Sequence, residues 1–272
     1  MQNNPQLTDR TTLDRNRARA DQTSGMFLHH AAIDEIQDRL SMVNREFTSP
    51  AIVTGFPDVW ASCVPNPTLV PDTDVLDLKD GTHDLVIHAM GLHWADDPVG
   101  QIIQCRRALK DDGLFLAVCF GGQTLSELRA SLAQAEIEIS GGLSPRIAPM
   151  AEIRELGALL QRSGLALPVA DSVPQKVTYE TPWSLMNDLR LMGENNALRD
   201  RIKTPTPKSI LIRGCEIYVE TFMERGRIPA TFELIFLTAW APDDSQQLPL
   251  RPGSAQNRLA DALGASEIKL PK

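Results

Sequence analysis

The sequence predicts an α/β fold built around a mainly parallel sheet. Two near-continuous apolar runs, DLVIHAM ending at Met90 and GLFLAVCF ending at Phe120, are typical of strands covered on both faces. The segment between them has helical periodicity and begins at Pro98, directly after Asp96 and Asp97, one of which we expect to cap the helix. This alternation of strand, helix and strand predicts right-handed crossovers within one sheet.

The composition is that of a globular protein with an acidic surface. Its 27 basic and 35 acidic residues give a net charge of −8, which argues against nucleic-acid binding. Four widely spaced cysteines predict a reducing compartment, and the cysteines and histidines form no plausible metal-ligand set. No apolar run approaches the roughly 18–20 residues that cross a bilayer, and the polar start MQNNPQLTDR does not resemble a signal peptide.

Two helices are expected before the first strand. Residues 8–20 predict a short charged helix, and we interpret its RNRAR cluster as a solvated face. The segment FLHHAAIDEIQDRLSMV carries apolar residues at helical spacing and predicts one buried face. AIVTGF follows as a strand, and a stretch rich in Pro, Asp and Thr then interrupts regular structure.

The second half of the chain predicts further helices and two strands. Thr124 opens a helix and Glu127 follows three residues later, which is the spacing of a capping box. The strand LPVADSVPQKVTYE is expected to be broken by Pro174. The helix WSLMNDLRLMGENN is interpreted as a lid over a pocket, with an apolar cover and a polar end. RIPATFELIFLTAWAP supplies the last strand.

Several of these segments resemble a known family. D-L-V-x-H-x-x-x-L-H-W-x-D-D-P is similar to the fourth strand and following loop of class I S-adenosylmethionine-dependent methyltransferases. FGGQTLSELRASLAQAEIEISGGLSPRIAPM, LGALLQRSGLALPVAD, MNDLRLMGENNAL and IPATFELIFLTAWAP resemble NADH:ubiquinone oxidoreductase complex assembly factor 5 and its alphaproteobacterial relatives. The resemblance extends over most of the chain, from about residue 8 to residue 254.

The resemblance implies a Rossmann-like class I methyltransferase fold with seven strands, an antiparallel last strand and a helical lid inserted before the last two strands. It also implies a role in assembling respiratory complex I. The eukaryotic member hydroxylates an arginine of a complex I subunit, and related enzymes methylate a carrier-bound malonyl group. Residues 1–48 are then N-terminal helices, 49–242 a methyltransferase-like domain with lid helices at about 181–225, and 243–272 a polar tail.

The first half of the chain lacks the D-x-G-x-G-x-G loop that would hold S-adenosylmethionine. Gly55 is the only glycine between Ala51 and Asp80, and it is either a residual cofactor contact or a strand-ending turn. This region is about 25 residues shorter than in the family, too short for a helix and two strands. Asp72 is a candidate ribose-binding acid, although a turn residue in PDTD is the preferred interpretation.

His93 and Trp94 follow the buried strand at the edge where open α/β sheets bind ligands. His93 is a candidate acid, base or cofactor contact, and Trp94 is a candidate for stacking on a flat ligand. The alternative is a capped loop whose aromatic side chain packs against the following helix. His88 lies in mid-strand and is expected to be a satisfied buried side chain.

Gly121, Gly122 and Gln123 follow the next strand at the same edge. The glycines allow close approach of a substrate, and Gln123 is a candidate catalytic residue, although a tight strand-to-helix turn also explains the glycines. Arg146, in the loop GGLSPR, either holds a carboxylate or carbonyl of a protein substrate or forms a structural bridge that pins the loop.

Three functional hypotheses follow. In the first, the protein binds S-adenosylmethionine through its degenerate loop and modifies a protein subunit during complex I assembly, by methylation or arginine hydroxylation. In the second, it is a non-catalytic assembly chaperone that has lost cofactor binding. In the third, it is a small-molecule methyltransferase. The expected location is the cytoplasm, with peripheral association at the inner membrane face.

Overall fold

A computed structural model describes residues 6–247, and six strands form one sheet within them. The strands are β1 (Pro50–Thr54), β2 (Thr68–Val70), β3 (His83–Ala89), β4 (Leu109–Phe120), β5 (Ala166–Tyr179) and β6 (Ile228–Trp240). Their order across the sheet is β2-β1-β3-β4-β6-β5. Strands β1 to β4 run parallel to one another, whereas β6 is antiparallel to both β4 and β5. The predicted mainly parallel sheet with an antiparallel last strand is confirmed.

Helices cover both faces of this sheet. They are α1 (Arg10–Arg17), α2 (Phe27–Met42), α3 (Pro57–Trp60), a 3₁₀ turn (Leu92–Trp94), α4 (Pro98–Ala108), α5 (Ser126–Ser140), α6 (Ile153–Arg162), α7 (Pro182–Leu191) and α8 (Lys208–Phe222). The predicted cap of α4 is confirmed, because the Asp97 carboxylate accepts a hydrogen bond of 2.8 Å from the Gly100 N–H.

The sheet has six strands in the described residues, where the resemblance implies seven. Residues 55–82 contain only the four-residue helix α3 and the three-residue strand β2. A second strand and its crossover helix do not fit into a segment of this length, so the sheet ends at β2. The implied seventh strand is therefore wrong for this part of the chain, and the shortening predicted from the sequence explains it.

Two apolar cores lie on opposite faces of the sheet. Leu85 and Ile87 of β3 pack in one core, which includes side chains of α2, α5 and α7. Val86 points to the other face and packs with side chains of α4 and α6. Cys105 and Cys119 are buried in this second core, and all four cysteines are free.

The helical insertion lies between the last two strands rather than before both. Helices α7 and α8 connect β5 to β6, which corrects the predicted position of the lid. Strand β5 also runs unbroken through Pro174, contrary to prediction. Among the described strands β5 pairs with β6 alone, so it is an edge strand, and a residue without an N–H is tolerated there.

The described residues up to Pro242 form one compact unit, and a second unit begins at Asp243. Residues 243–247 are the described part of that second unit, so most of the predicted polar tail, 243–272, lies outside the described residues. None of the described helices has the length and apolar character needed to cross a bilayer.

Candidate functional site

The carboxyl ends of β1, β2 and β3 bring several predicted site residues to one edge of the sheet. Gly55 follows β1, Asp72 follows β2, and His93 and Trp94 form the turn after β3. Asp72 is 3 % exposed and His93 is 7 % exposed, so these polar side chains are buried. Their charge and hydrogen bonding are therefore set by neighbouring side chains of the protein rather than by water.

Two arginines of α1 bind Asp72. The Arg17 guanidinium donates to both carboxylate oxygens, with Nη1–Oδ1 at 2.7 Å and Nη2–Oδ2 at 2.8 Å. Arg10 donates to Oδ1 at 2.8 Å. Burial alone would raise the pKa of Asp72, but the hydrogen bonds and charges of Arg17 and Arg10 outweigh it and hold the pKa below its usual value. Asp72 is thus neither a solvated turn residue nor an acid free for a ribose.

The same arginine covers Gly55. A Cβ added at Gly55 would overlap Arg17 Nη1, so the guanidinium occupies the space against the glycine. Phe56 is buried and packs edge-on against His29, with ring centroids 5.0 Å apart. A cavity of about 400 Å³ remains beside them, lined partly by Gly55, Phe56 and Asp72.

These residues do not fit S-adenosylmethionine in this arrangement. The cofactor needs open space against the glycine and a free acid for its ribose hydroxyls. Arg17 fills the first and binds the second. The chain's own side chain stands in the position that the resemblance assigns to the cofactor.

Arg17 was not identified as a site residue, because the RNRAR cluster was predicted to be a solvated face. That prediction is wrong for Arg17, which is 7 % exposed, although Arg15 and Arg19 are exposed. A signal was present in the sequence. Arg10, Leu13 and Arg17 follow one another at helical spacing, so two arginines and a fully buried leucine share one face.

Glu194, which was not predicted from the sequence as a site residue, contacts both His93 and Trp94 in the turn after β3. Its Oε2 accepts a hydrogen bond of 2.8 Å from Trp94 Nε1 and lies 3.4 Å from His93 Nε2. Gly193, with φ of +82°, turns the chain after α7 and directs Glu194 inward. Burial would raise the pKa of Glu194, but His93, Arg17 and the Trp94 hydrogen bond outweigh it and lower the pKa.

His88 is buried in mid-strand, as predicted. Its Nε2 lies 2.8 Å from Gln101 Oε1, while Nδ1 has no hydrogen-bond partner among the described residues. Only one of the two ring nitrogens therefore has the expected hydrogen-bond partner. Burial lowers the pKa of His88, so the ring is neutral at neutral pH.

The glycines after β4 are needed for contacts within the chain. A Cβ at Gly121 would lie 2.5 Å from Glu233 Oε2, and one at Gly122 would lie 2.6 Å from Glu152 Oε1. Gln123 donates its backbone N–H to Glu233 Oε2 at 2.9 Å, and the residue is exposed. The structure gives these three residues contacts of a strand-to-helix turn, and their substrate-binding and catalytic roles stay predictions.

The predicted capping box of α5 is wrong. The helix begins at Ser126, after Leu125 in the left-handed conformation. Glu127 instead accepts hydrogen bonds from the N–H and Oγ1 of Thr231 in β6, at 3.2 Å and 2.5 Å. Its carboxylate therefore ties α5 to the sheet, and the Thr124 hydroxyl accepts from the Glu233 N–H.

Arg146 pins the loop that follows α5. It donates from Nη2 to Glu136 Oε1 at 2.8 Å and from Nη1 to Thr206 Oγ1 at 2.9 Å. Ser144 in the same loop also donates to Glu136, from Oγ at 2.6 Å. Arg146 is thus a structural bridge, and it also lies in the wall of a cavity.

That cavity has a volume of about 700 Å³ and lies on the side of α5, α7 and α8. Its wall is mainly apolar and includes several charged side chains. Its lining residues include Trp94, Phe120, Phe232, Trp183, Arg190, Arg201 and Glu194. Within the described chain no group of three His, Cys, Asp or Glu side chains is placed to hold a metal ion.

Sequence comparison identifies the relatives of this chain. A family described as a methyltransferase domain matches residues 51–117. The chain is 39% identical over 193 residues to the mitochondrial arginine-hydroxylase NDUFAF5 of Dictyostelium discoideum, covering 70% of this chain and 44% of that protein. It is 37% identical over 205 residues to the Danio rerio protein of the same name, covering 75% and 62%. The chain is a homologue of the NDUFAF5 proteins.

The alignments span 44% and 62% of the length of these two NDUFAF5 proteins. The family resemblance predicted from the sequence is confirmed, and the chain carries a methyltransferase domain. Among solved structures, a putative methyltransferase from Bacillus halodurans aligns with a TM-score of 0.49 and 13% identity, covering 78% of this chain and 99% of that one.

Proposed function

We propose that the protein is a methyltransferase-like assembly factor of respiratory complex I that binds an arginine-bearing segment of a protein client in its 700 Å³ cavity. The homology to proteins named arginine-hydroxylase supports the arginine client. The link to complex I rests on the resemblance of the sequence to the assembly-factor family. An apolar cavity of this size holds a side chain with its flanking residues.

One observation carries this proposal: the cofactor position is filled by the chain's own side chain, whereas the client cavity is open. The Arg17 guanidinium covers Gly55 and binds both oxygens of Asp72, so the cofactor position is closed. The cavity beneath α7 remains open and is lined by aromatic side chains. Client binding without S-adenosylmethionine is therefore the activity that the geometry supports best.

The residues of this cavity bind and orient the client. Trp94, Phe120 and Phe232 offer flat apolar surfaces for the stem of a long side chain. The Arg146–Glu136 bridge holds the loop that forms part of the wall. A factor of this kind would act in the cytoplasm, peripherally at the inner face of the membrane where complex I is assembled.

Methyl transfer to a protein subunit is the second candidate. The cavity of about 400 Å³ beside Gly55 favours it, because this space would accept an adenosine if α1 moved away. A small-molecule methyltransferase is the third candidate, and it would need the same displacement of Arg17.

A deletion strain tests the proposed function. We expect loss of assembled complex I, measured as NADH oxidation by membranes and as the intact complex on native gels, with recovery on expression of the wild-type protein. Trp183→Ala removes a half-exposed aromatic from the cavity wall and should restore complex I poorly. Ile212→Ala removes an apolar side chain of similar exposure on α8 outside the cavity and should restore it fully. Normal complex I in the deletion strain would contradict the proposal.

A further inference from the structure

Glu194 is an ionisable side chain with few partners in a buried position. Its side chain is 6% exposed. Among the described side chains, Trp94 and His93 make its hydrogen bonds, and both reach the same oxygen, Oε2. His93 and Arg17 favour its ionised form, yet Oε1 receives no hydrogen bond from any described side chain, so the carboxylate retains capacity for a further cation or donor.

The arginines near Glu194 bind other carboxylates or are exposed to solvent. Arg17 binds both oxygens of Asp72. Arg146 in the cavity wall binds Glu136 at 2.8 Å, and Arg201 binds Asp9 at 2.9 Å. Arg190 also lines the cavity, but it is exposed to solvent, where water screens its charge.

The adjacent histidine His29 does not supply a charge either. It is fully buried, and burial lowers its pKa to about 4. His93, at 3.4 Å, is the one described side chain that could pair with Glu194 as a cation. The cavity wall therefore includes a carboxylate whose shortest hydrogen bond comes from a neutral indole N–H.

Aromatic rings line the same cavity as this carboxylate. Trp94, Phe120 and Phe232 line the cavity together with Glu194, and the rings of Phe120 and Phe232 lie 6.2 Å apart. A planar cation is attracted to the faces of such rings and to a carboxylate at their end. A guanidinium satisfies both requirements, because it stacks on rings and donates two parallel hydrogen bonds to one carboxylate.

We infer that Glu194 is the specificity-determining residue that binds the guanidinium of the client arginine inside the 700 Å³ cavity. This inference rests on the proposed function, to which it adds the residue that recognises the cation. The Trp94 N–H fixes the orientation of the carboxylate, and its indole forms part of the wall that the arginine stem contacts.

Two small probes test the inference. N-acetyl-arginine-N-methylamide carries the guanidinium, and N-acetyl-citrulline-N-methylamide has nearly the same shape without the charge. By titration calorimetry we expect the wild-type protein to prefer the arginine probe by at least about tenfold. Glu194→Gln keeps an acceptor for Trp94 and should reduce this preference to within about twofold.

Glu180→Gln is the matched control, because it removes the same charge from a side chain that is 82% exposed just before α7. It should keep the preference of the wild-type protein. If Glu194→Gln does not fold, the wild-type protein still decides, because arginine but not citrulline should shift the Trp94 indole N–H resonance. Equal affinity for the two probes, no binding of the arginine probe at millimolar concentration, or an unchanged preference in Glu194→Gln would overturn the inference.

The result is separable from the proposed function. A deletion strain that loses complex I while the wild-type protein ignores the guanidinium would leave the function standing and remove Glu194 as its recognition residue. A deletion strain with normal complex I and a protein that prefers arginine would keep the site and remove the assembly role.

Discussion

Two buried carboxylates lie at the carboxyl edge of the sheet, and they differ in their partners. Asp72 receives three hydrogen bonds from the guanidinium groups of Arg10 and Arg17. Glu194 receives one from the Trp94 indole and lies 3.4 Å from a histidine. The first carboxylate is neutralised by the chain itself, so it serves the structure. The second is left with capacity for an external cation, so it is suited to binding.

Removing the arginine from the first site should have the largest effect on stability. Arg17→Met leaves Asp72 buried with Arg10 alone and should lower the free energy of unfolding by about 3–5 kcal/mol. Adding Asp72→Asn should recover much of that loss, because the uncompensated charge is then absent. Urea denaturation monitored by circular dichroism measures both.

Arg15→Met is the control for this change. Arg15 lies on the exposed face of the same helix, so its replacement should alter the free energy of unfolding by less than about 0.5 kcal/mol. Equal losses for Arg15→Met and Arg17→Met would mean that the ion pair with Asp72 contributes nothing particular, and the comparison of the two carboxylates would fail.

A smaller effect comes from His29, whose titration both Arg17 and Glu194 influence. Burial, above all, lowers its pKa from 6.5 to about 4. In the unfolded chain His29 therefore binds a proton below pH 6.5, whereas in the folded chain it binds one only below about pH 4. The stability from neutral His29 is full above that range and is lost as pH falls through it, by up to about 1.4 kcal/mol per pH unit.

Replacement of His29 isolates this contribution. His29→Gln keeps an acceptor for the Trp60 indole N–H and should flatten the pH dependence of the unfolding free energy between pH 6.5 and about 4. His30→Gln, at the exposed neighbouring position, should leave the wild-type slope unchanged. The interpretation fails if the two variants show the same slope.

The strands and the first crossover were predictable from the sequence because their signals are local. The two-sided apolar runs mark β3 and β4, and Asp97 before Pro98 marks the start of α4. Pro174 was misinterpreted as a break, because its edge position depends on which strands pair. The absence of a glycine-rich loop and the shortened segment after Gly55 were also visible, and both agree with the closed cofactor position.

The site residues could not be predicted in the same way, because their partners are distant in the sequence. Arg17 and Asp72 are 55 residues apart, and Trp94 and Glu194 are 100 residues apart. Glu127 has the spacing of a helix cap, yet its partner Thr231 lies 104 residues away. The local sequence pattern predicts helix caps or solvated faces for such side chains. Only the tertiary fold reveals the ion pairs and hydrogen bonds that they form.

Titration calorimetry of the wild-type protein with S-adenosylmethionine tests the central claim most directly. If the Arg17–Asp72 pair takes the place of the cofactor, no saturable heat should appear up to millimolar ligand, in the same preparation that binds the arginine probe. Saturable binding of S-adenosylmethionine at micromolar concentration would contradict the account and make methyl transfer the leading function.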